Sequence, residues 1–132
     1  MTISKETALK VIGLMGEKHQ REQAICEMNE LGAALFQYFR QGKGSIDDVA
    51  EEIADVEIML VQLSQMVPAE IMEAQRAAKR EKLQRIIDRC IEIPKELEAL
   101  EHHIANADSM ELVNKLSPKK AELLQEWESY VK

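Results

Sequence analysis

Two pairs of acidic residues with the same spacing lie beside apolar helical patterns. Glu27 and Glu30 fall in "CEMNELGAAL", and Glu52 and Asp55 fall in "EEIADVEIML". Both segments read x-E-apolar-x-acid-apolar-x-x-x-apolar. At about 100° per residue on a helix, each acidic pair flanks its apolar stripe on the same side. The repeat therefore predicts carboxylates that stand close to a hydrophobic surface, where their charges need an offsetting partner.

Two antiparallel helices joined by the short "RQGKGS" loop would bring these four carboxylates to one face. When the two helices pack through their apolar stripes, a local two-fold axis relates them. The acidic residues lie on the same side of the stripe in each helix, so they face the same direction in the hairpin. Mg²⁺ is the natural occupant of such a cluster, with Mn²⁺ as a substitute, because both ions prefer hard oxygen ligands. The sequence thus predicts a metal site, against the alternative of ordinary solvated acids.

The rest of the chain predicts an all-α domain, an antiparallel helical-hairpin bundle with extra C-terminal helices. Good helix formers dominate, and Gly, Pro and aromatic residues are few. Ser4 and Ser45 are candidate N-caps, and Pro94 and the Ser117-Pro118 pair are expected to bound helices. We expect a main domain over 1–93 and an appended helical segment over 94–132. The predicted helices cover residues 5–15, 17–39, 46–66, 69–91, 95–106 and 118–131.

Composition also narrows the classes of partner and the location. The formal charge is −7 at pH 7, so the surface should repel nucleic acid. No signal-like segment is evident at the N-terminus, and no apolar run is long enough to span a bilayer, so we expect no membrane partner. With two cysteines, both in helical patterns, a disulfide scaffold is not expected, and a cytoplasmic protein is the plain interpretation.

The acidic blocks resemble the Glu-x-x-Glu … Glu-x-x-Asp signature of MazG-like nucleoside triphosphate pyrophosphohydrolases, within the all-α NTP pyrophosphatase superfamily. "GEKHQ", ending at Gln20, resembles that family's Gly-x-x-x-Gln segment. The resemblance covers roughly residues 8–90. It implies a Mg²⁺-dependent hydrolase that converts a nucleoside triphosphate to the monophosphate and pyrophosphate, and a homodimer or homotetramer.

The resemblance also implies roles for individual residues. It assigns the metal and the catalysis to Glu27, Glu30, Glu52 and Asp55. It places Gln20 and the basic residues of the fourth predicted helix near the substrate, namely Lys79, Lys82 and Arg85. A solvated basic face that balances neighbouring acids is the alternative interpretation of these three cations.

One position departs from the family pattern, which often begins Glu-Glu-x-x-Glu. Here the first position is Cys26, and Glu22 or Glu51 would have to substitute for the missing carboxylate. A helical interaction or regulatory module that has lost turnover is therefore the second functional hypothesis. A di-iron carboxylate bundle is a third class, but neither His102 nor His103 has the Glu three residues earlier that such sites need.

Overall fold

The computed structural model describes residues 2–131, and all regular structure in that range is helical. The all-α fold class predicted from the sequence is confirmed. Within these residues no helix combines the length and the apolar character that a bilayer crossing requires. The described elements, in chain order, are α1 (Lys5–Met15), α2 (Glu17–Leu35), a π-helical turn (Phe36–Arg40), α3 (Ile46–Gln65), α4 (Ala69–Ala105) and α5 (Met110–Tyr130).

Serine caps set the beginnings of α1 and α3, as the sequence predicts. The Ser4 hydroxyl accepts a hydrogen bond from the Thr7 backbone N–H at 3.0 Å. Ser45 and Asp48 form a capping box, in which each side chain accepts a hydrogen bond from the backbone N–H of the other residue. Gly16 separates α1 from α2 with φ of 91°, a conformation that favours glycine.

The chain forms two compact units, Met1–Ala74 and Gln75–Lys132. In the first unit, α2 and α3 form an antiparallel hairpin, and α1 packs on both of them. Its buried apolar side chains are small or flexible: Ala8, Ala24, Val49 and Met59. The domain boundary expected after residue 93 falls inside α4, well past the division between the units.

A π-helical turn ends the first arm of the hairpin. The sequence predicts one helix to Phe39, but the last five residues of that arm, Phe36–Arg40, adopt π-helical hydrogen bonding. The Lys43 backbone N–H then donates to the Gln37 carbonyl at 2.9 Å and closes the loop. Phe36 and Phe39 are 55% and 66% exposed, so this turn presents two aromatic rings at the surface.

The second unit differs from the sequence prediction around Pro94. The predicted break is wrong, because α4 continues through Pro94 to Ala105. Proline removes one helical hydrogen bond and crowds the preceding turn, but packing overrides that preference here. Ile93, directly before the proline, has no exposed surface. Arg89, one turn earlier, is fixed by three carboxylates from α4 and α5.

The start of the last helix is also earlier than predicted. Ser109, not Ser117, caps α5, and its hydroxyl accepts from the Leu112 backbone N–H at 3.2 Å. Ser117 lies within the helix, where its hydroxyl donates to the Val113 carbonyl at 2.8 Å. The Ser117-Pro118 pair predicts a cap from local sequence alone. A serine can also donate to a backbone carbonyl within a helix, and Ser117 does so here while Ser109 is the cap.

Candidate metal centre

Three carboxylates from the two arms of the hairpin meet in the first unit. Glu27 lies on α2, and Glu52 and Asp55 lie one turn apart on α3. One carboxylate oxygen from each lies within 4.8 Å of the others, and all three residues are half-buried. Because the donors come from both helices, the geometry depends on the register of the hairpin and not on one helix alone.

Small and apolar residues place these carboxylates at the helix interface. Ala24 lies one turn before Glu27 and is 1% exposed, and Met59 lies one turn after Asp55 and is 8% exposed. Residues one turn apart share a helix face. The buried neighbours therefore hold the acidic side chains partly inside the seam between the helices, where water reaches them poorly.

Two of the carboxylate oxygens are screened from solvent and have no hydrogen-bond partner, Oε2 of Glu27 and Oε2 of Glu52. The other oxygen of Glu27 accepts a hydrogen bond from Gln23 Nε2 at 2.7 Å. Buried anionic oxygens without a donor are unfavourable unless a cation satisfies them. An all-carboxylate donor set with two unpartnered inward oxygens fits Mg²⁺ or Mn²⁺.

The charges in the group act on one another. Partial burial raises the pKa of Glu52, and the charges of Glu30 and Asp55 raise it further. The charge of Glu27 is the largest cause of the raised pKa of Glu30. Both shifts record repulsion between anions brought close together. A divalent cation bound among them would remove that repulsion.

Glu30, the fourth predicted carboxylate, is exposed and lies outside the group of three. It nevertheless interacts electrostatically with Glu27 and Asp55. The structure therefore brings three of the four predicted carboxylates within ligand distance of one another and leaves Glu30 beside them.

Cys26 and the two residues considered as substitutes for a carboxylate at that position are all at the surface. Cys26 itself is exposed. Glu51 is exposed, next to Glu52, and its charge contributes to the raised pKa of Glu52. Glu22 is exposed and faces Lys18 at 3.9 Å. None of these three belongs to the group of close carboxylates found among the described residues.

The predicted substrate residues lie in different places. Gln20 is 3% exposed on α2, in the unit that contains the carboxylates, and its Nε2 lies 3.4 Å from Met15 Sδ. The three basic residues are exposed on the part of α4 that belongs to the second unit: Lys79, Lys82 and Arg85. Arg85 pairs with Glu81 at 2.9 Å, and it lines a pocket of about 390 Å³ with Lys82. Their assignment to a substrate stays a prediction.

Gln62 is a polar residue that the sequence interpretation passed over. It is 1% exposed on α3, and neither Nε2 nor Oε1 of its amide has a partner. An amide left in this state costs about 1–3 kcal/mol relative to a satisfied one. The available signal is its position seven residues after Asp55, which puts it on the same helix face in an otherwise apolar stretch.

Comparison of the chain with known protein families, with curated proteins and with solved structures finds no match.

Proposed function

We propose that this protein is a Mg²⁺-dependent nucleoside triphosphate pyrophosphohydrolase of the all-α NTP pyrophosphatase type. The observation that carries the proposal is the group formed by Glu27, Glu52 and Asp55, with two inward oxygens that lack partners. The sequence resemblance to MazG-like enzymes supplies the reaction class. The reaction converts an NTP or dNTP and water to the monophosphate and pyrophosphate, and a role in removing unwanted nucleotides is consistent with it.

In this proposal Glu27, Glu52 and Asp55 hold the ion, and Mn²⁺ can replace Mg²⁺. An ion bound there would neutralise phosphate charge and would acidify or orient the attacking water. The water oxygen forms a bond to the α-phosphorus, and the bond from that phosphorus to the oxygen bridging it to the β-phosphate breaks. Pyrophosphate leaves with that bridging oxygen.

Glu30 has a separate role in this proposal, although the resemblance assigns it to the metal as well. It lies beside the group of three without belonging to it, so its carboxylate does not have to coordinate the ion and can accept a proton next to it. We assign to it the proton released by the attacking water.

The protein is proposed to act as a homodimer or homotetramer in the cytoplasm. Ile25, Phe36 and Phe39 are all more than half exposed on the hairpin, and their contact with a second copy would remove apolar surface from water. Met59, on the other arm of the hairpin, is buried and does not contribute to this exposed surface. Both cysteines are free, which suits a reducing compartment. A monomeric mass by light scattering at micromolar concentration would contradict the oligomer.

The decisive experiment is pyrophosphate release from a panel of canonical and modified NTPs and dNTPs, with Mg²⁺, with Mn²⁺ and with chelator. We expect metal-dependent release of equal amounts of pyrophosphate and monophosphate. Glu52→Gln and Asp55→Asn should abolish it in folded protein, whereas Glu51→Gln, a change at an exposed neighbour, should not. Release that persists in chelator would contradict the proposal.

A non-catalytic interaction module on the same scaffold is the second candidate. It is favoured by Cys26, which is exposed at the position where the resembled family often has a glutamate. No turnover of any nucleotide by folded protein that still binds Mg²⁺ would favour this module.

A further inference from the structure

The Gln62 amide lies deep in the first unit without a partner for either of its polar atoms. Three of its four neighbours one turn away are apolar, namely Ile58, Met59 and Met66, and the fourth, Gln65, directs its amide to Val61 and Ser64. An apolar side chain of the same size would fill this position without leaving an amide unsatisfied. The described residues of the chain supply no partner for this amide, so its partner has to come from outside the protein.

The position of Gln62 relates it to the carboxylate group. It follows Asp55 by seven residues, so it lies about 10.5 Å further along α3 and only about 20° around the helix from Asp55. Gln20 precedes Glu27 by seven residues and has the same relation to it on α2. The helices are antiparallel, so both glutamines lie on the side of the carboxylates away from the hairpin loop.

The separation suits a nucleotide that lies along the seam between α2 and α3. With its phosphates at the carboxylate group, its base would extend two helical turns toward the glutamines. A primary amide presents a donor and an acceptor side by side, and it pairs with a base edge that offers the complementary pair. Neither an inorganic polyphosphate nor a bare sugar phosphate has such an edge.

We infer that the Gln62 amide binds the base of the nucleotide substrate and, with Gln20 beside the same seam, determines which nucleotides are accepted. This inference rests on the proposed function, since the phosphates are placed at the carboxylate group. It identifies the substrate as a base-bearing nucleotide. Because Gln62 is 1% exposed and Met59, between it and Asp55, is also buried, base binding requires the seam between α2 and α3 to open at Met59.

The test compares nucleoside triphosphates with ribose 5-triphosphate, which lacks a base. The variant is Gln62→Met, which keeps the volume and removes the amide. Its matched control is Gln65→Met, one turn further along α3, where the amide already lies near the Val61 carbonyl and the Ser64 hydroxyl. Wild type and the control should prefer the best nucleotide over ribose 5-triphosphate. In Gln62→Met that preference should fall by roughly 10- to 100-fold.

Stability and binding measurements separate this inference from the proposed function. Gln62→Met should melt at or above the wild-type temperature, so the lost preference is not misfolding. If Gln62→Met hydrolyses its substrates with an unchanged preference for nucleotides over ribose 5-triphosphate, the inference is overturned and the proposed function stands. A buried water would then be the partner of the amide. If no substrate is hydrolysed, calorimetric binding of non-hydrolysable α,β-methylene nucleotides decides. Binding that depends on the base in wild type and is lost in Gln62→Met supports the inference. Binding that does not depend on the base, or that Gln62→Met retains, overturns it.

Discussion

Arg89 of α4 and Glu126 of α5 form a two-pronged ion pair, with Nε 2.9 Å from one carboxylate oxygen and Nη2 2.7 Å from the other. The remaining guanidinium nitrogen, Nη1, donates at 3.1 Å to both Glu92 and Glu96. Parallel charge-assisted hydrogen bonds fix both distance and orientation. This pair therefore sets where the last helix lies against α4 in the second unit.

Replacing Arg89 should destabilise the second unit more than replacing an exposed arginine on the same helix. Arg89→Gln leaves three carboxylates close together without their shared cation. Arg85→Gln removes only an exposed pair with Glu81. We expect the loss of thermal stability in Arg89→Gln to be roughly twofold greater or more. Melting followed by circular dichroism measures both, and equal losses would show that the Arg89 pair is dispensable.

The pH dependence of stability should include a contribution from Glu126. Its hydrogen bonds with Arg89 lower its pKa below the ordinary value of 4.5. The folded protein therefore binds the carboxyl proton of Glu126 less tightly than the unfolded chain does. The stabilisation from the pair with Arg89 is complete above pH 4.5 and is lost as the pH falls through the lowered folded pKa. Glu126→Gln should be less stable than wild type at neutral pH, and the two should converge in acid. Glu128→Gln, an exposed change on α5, serves as the control.

The core of the second unit should be sensitive at Ile93. This side chain has no exposed surface, and truncation to alanine leaves a cavity beside Pro94. We expect Ile93→Ala to lower the free energy of unfolding by about 2–5 kcal/mol. Ile91→Ala removes the same atoms from a residue that is 55% exposed and should cost far less. Urea unfolding measures the two, and similar losses would contradict the packing of Ile93.

Magnesium should stabilise the first unit through the carboxylate group. Adding Mg²⁺ to the wild type should raise the melting temperature by roughly 4–8 °C, because the ion binds the folded state alone. Glu52→Gln should melt higher than wild type in chelator, since it removes one anion from the cluster, and should respond little to Mg²⁺. Glu51→Gln should keep the wild-type response. A full response in Glu52→Gln would place the ion elsewhere.

Glu30 and Glu52 should be distinguishable by separate measurements of binding and turnover. Glu30 lies outside the group of three, so Glu30→Gln should keep the rise in melting temperature with Mg²⁺. If Glu30 accepts the proton of the attacking water, kcat should fall by roughly 10²- to 10⁴-fold. Loss of the Mg²⁺ response in Glu30→Gln would instead make it a metal ligand, as the sequence resemblance implies.

The hairpin and its carboxylates were predictable because periodicity and capping act locally. Ser45 is the N-cap of α3 as expected, and the matched spacing of the two acidic pairs predicts their approach across an antiparallel hairpin. The exclusion of Glu30 from the close group was not predictable. Glu27 and Glu30 lie about 60° apart around α2, and the residue pattern does not determine which of them faces the carboxylates of α3.

The second unit shows where local signals fail. Pro94 predicts a helix end, yet α4 runs through it with Ile93 buried and Arg89 held by α5. These contacts join residues 37 positions apart and leave no trace in a short sequence window. Ser109 and Ser117 are both residues that favour an N-cap position. In the structure α5 begins at Met110, so Ser109 is the cap and Ser117 lies inside the helix.

The π-helical turn at Phe36–Arg40 has a consequence for the history of the hairpin. A π turn contains one residue more than an α turn, because its hydrogen bonds join residues five positions apart and not four. It begins six residues after Glu30, about 9 Å along the helix, so a length change there leaves the carboxylates in register. Related chains that gain or lose a residue between α2 and α3 should therefore do so at this turn and keep both acidic pairs intact.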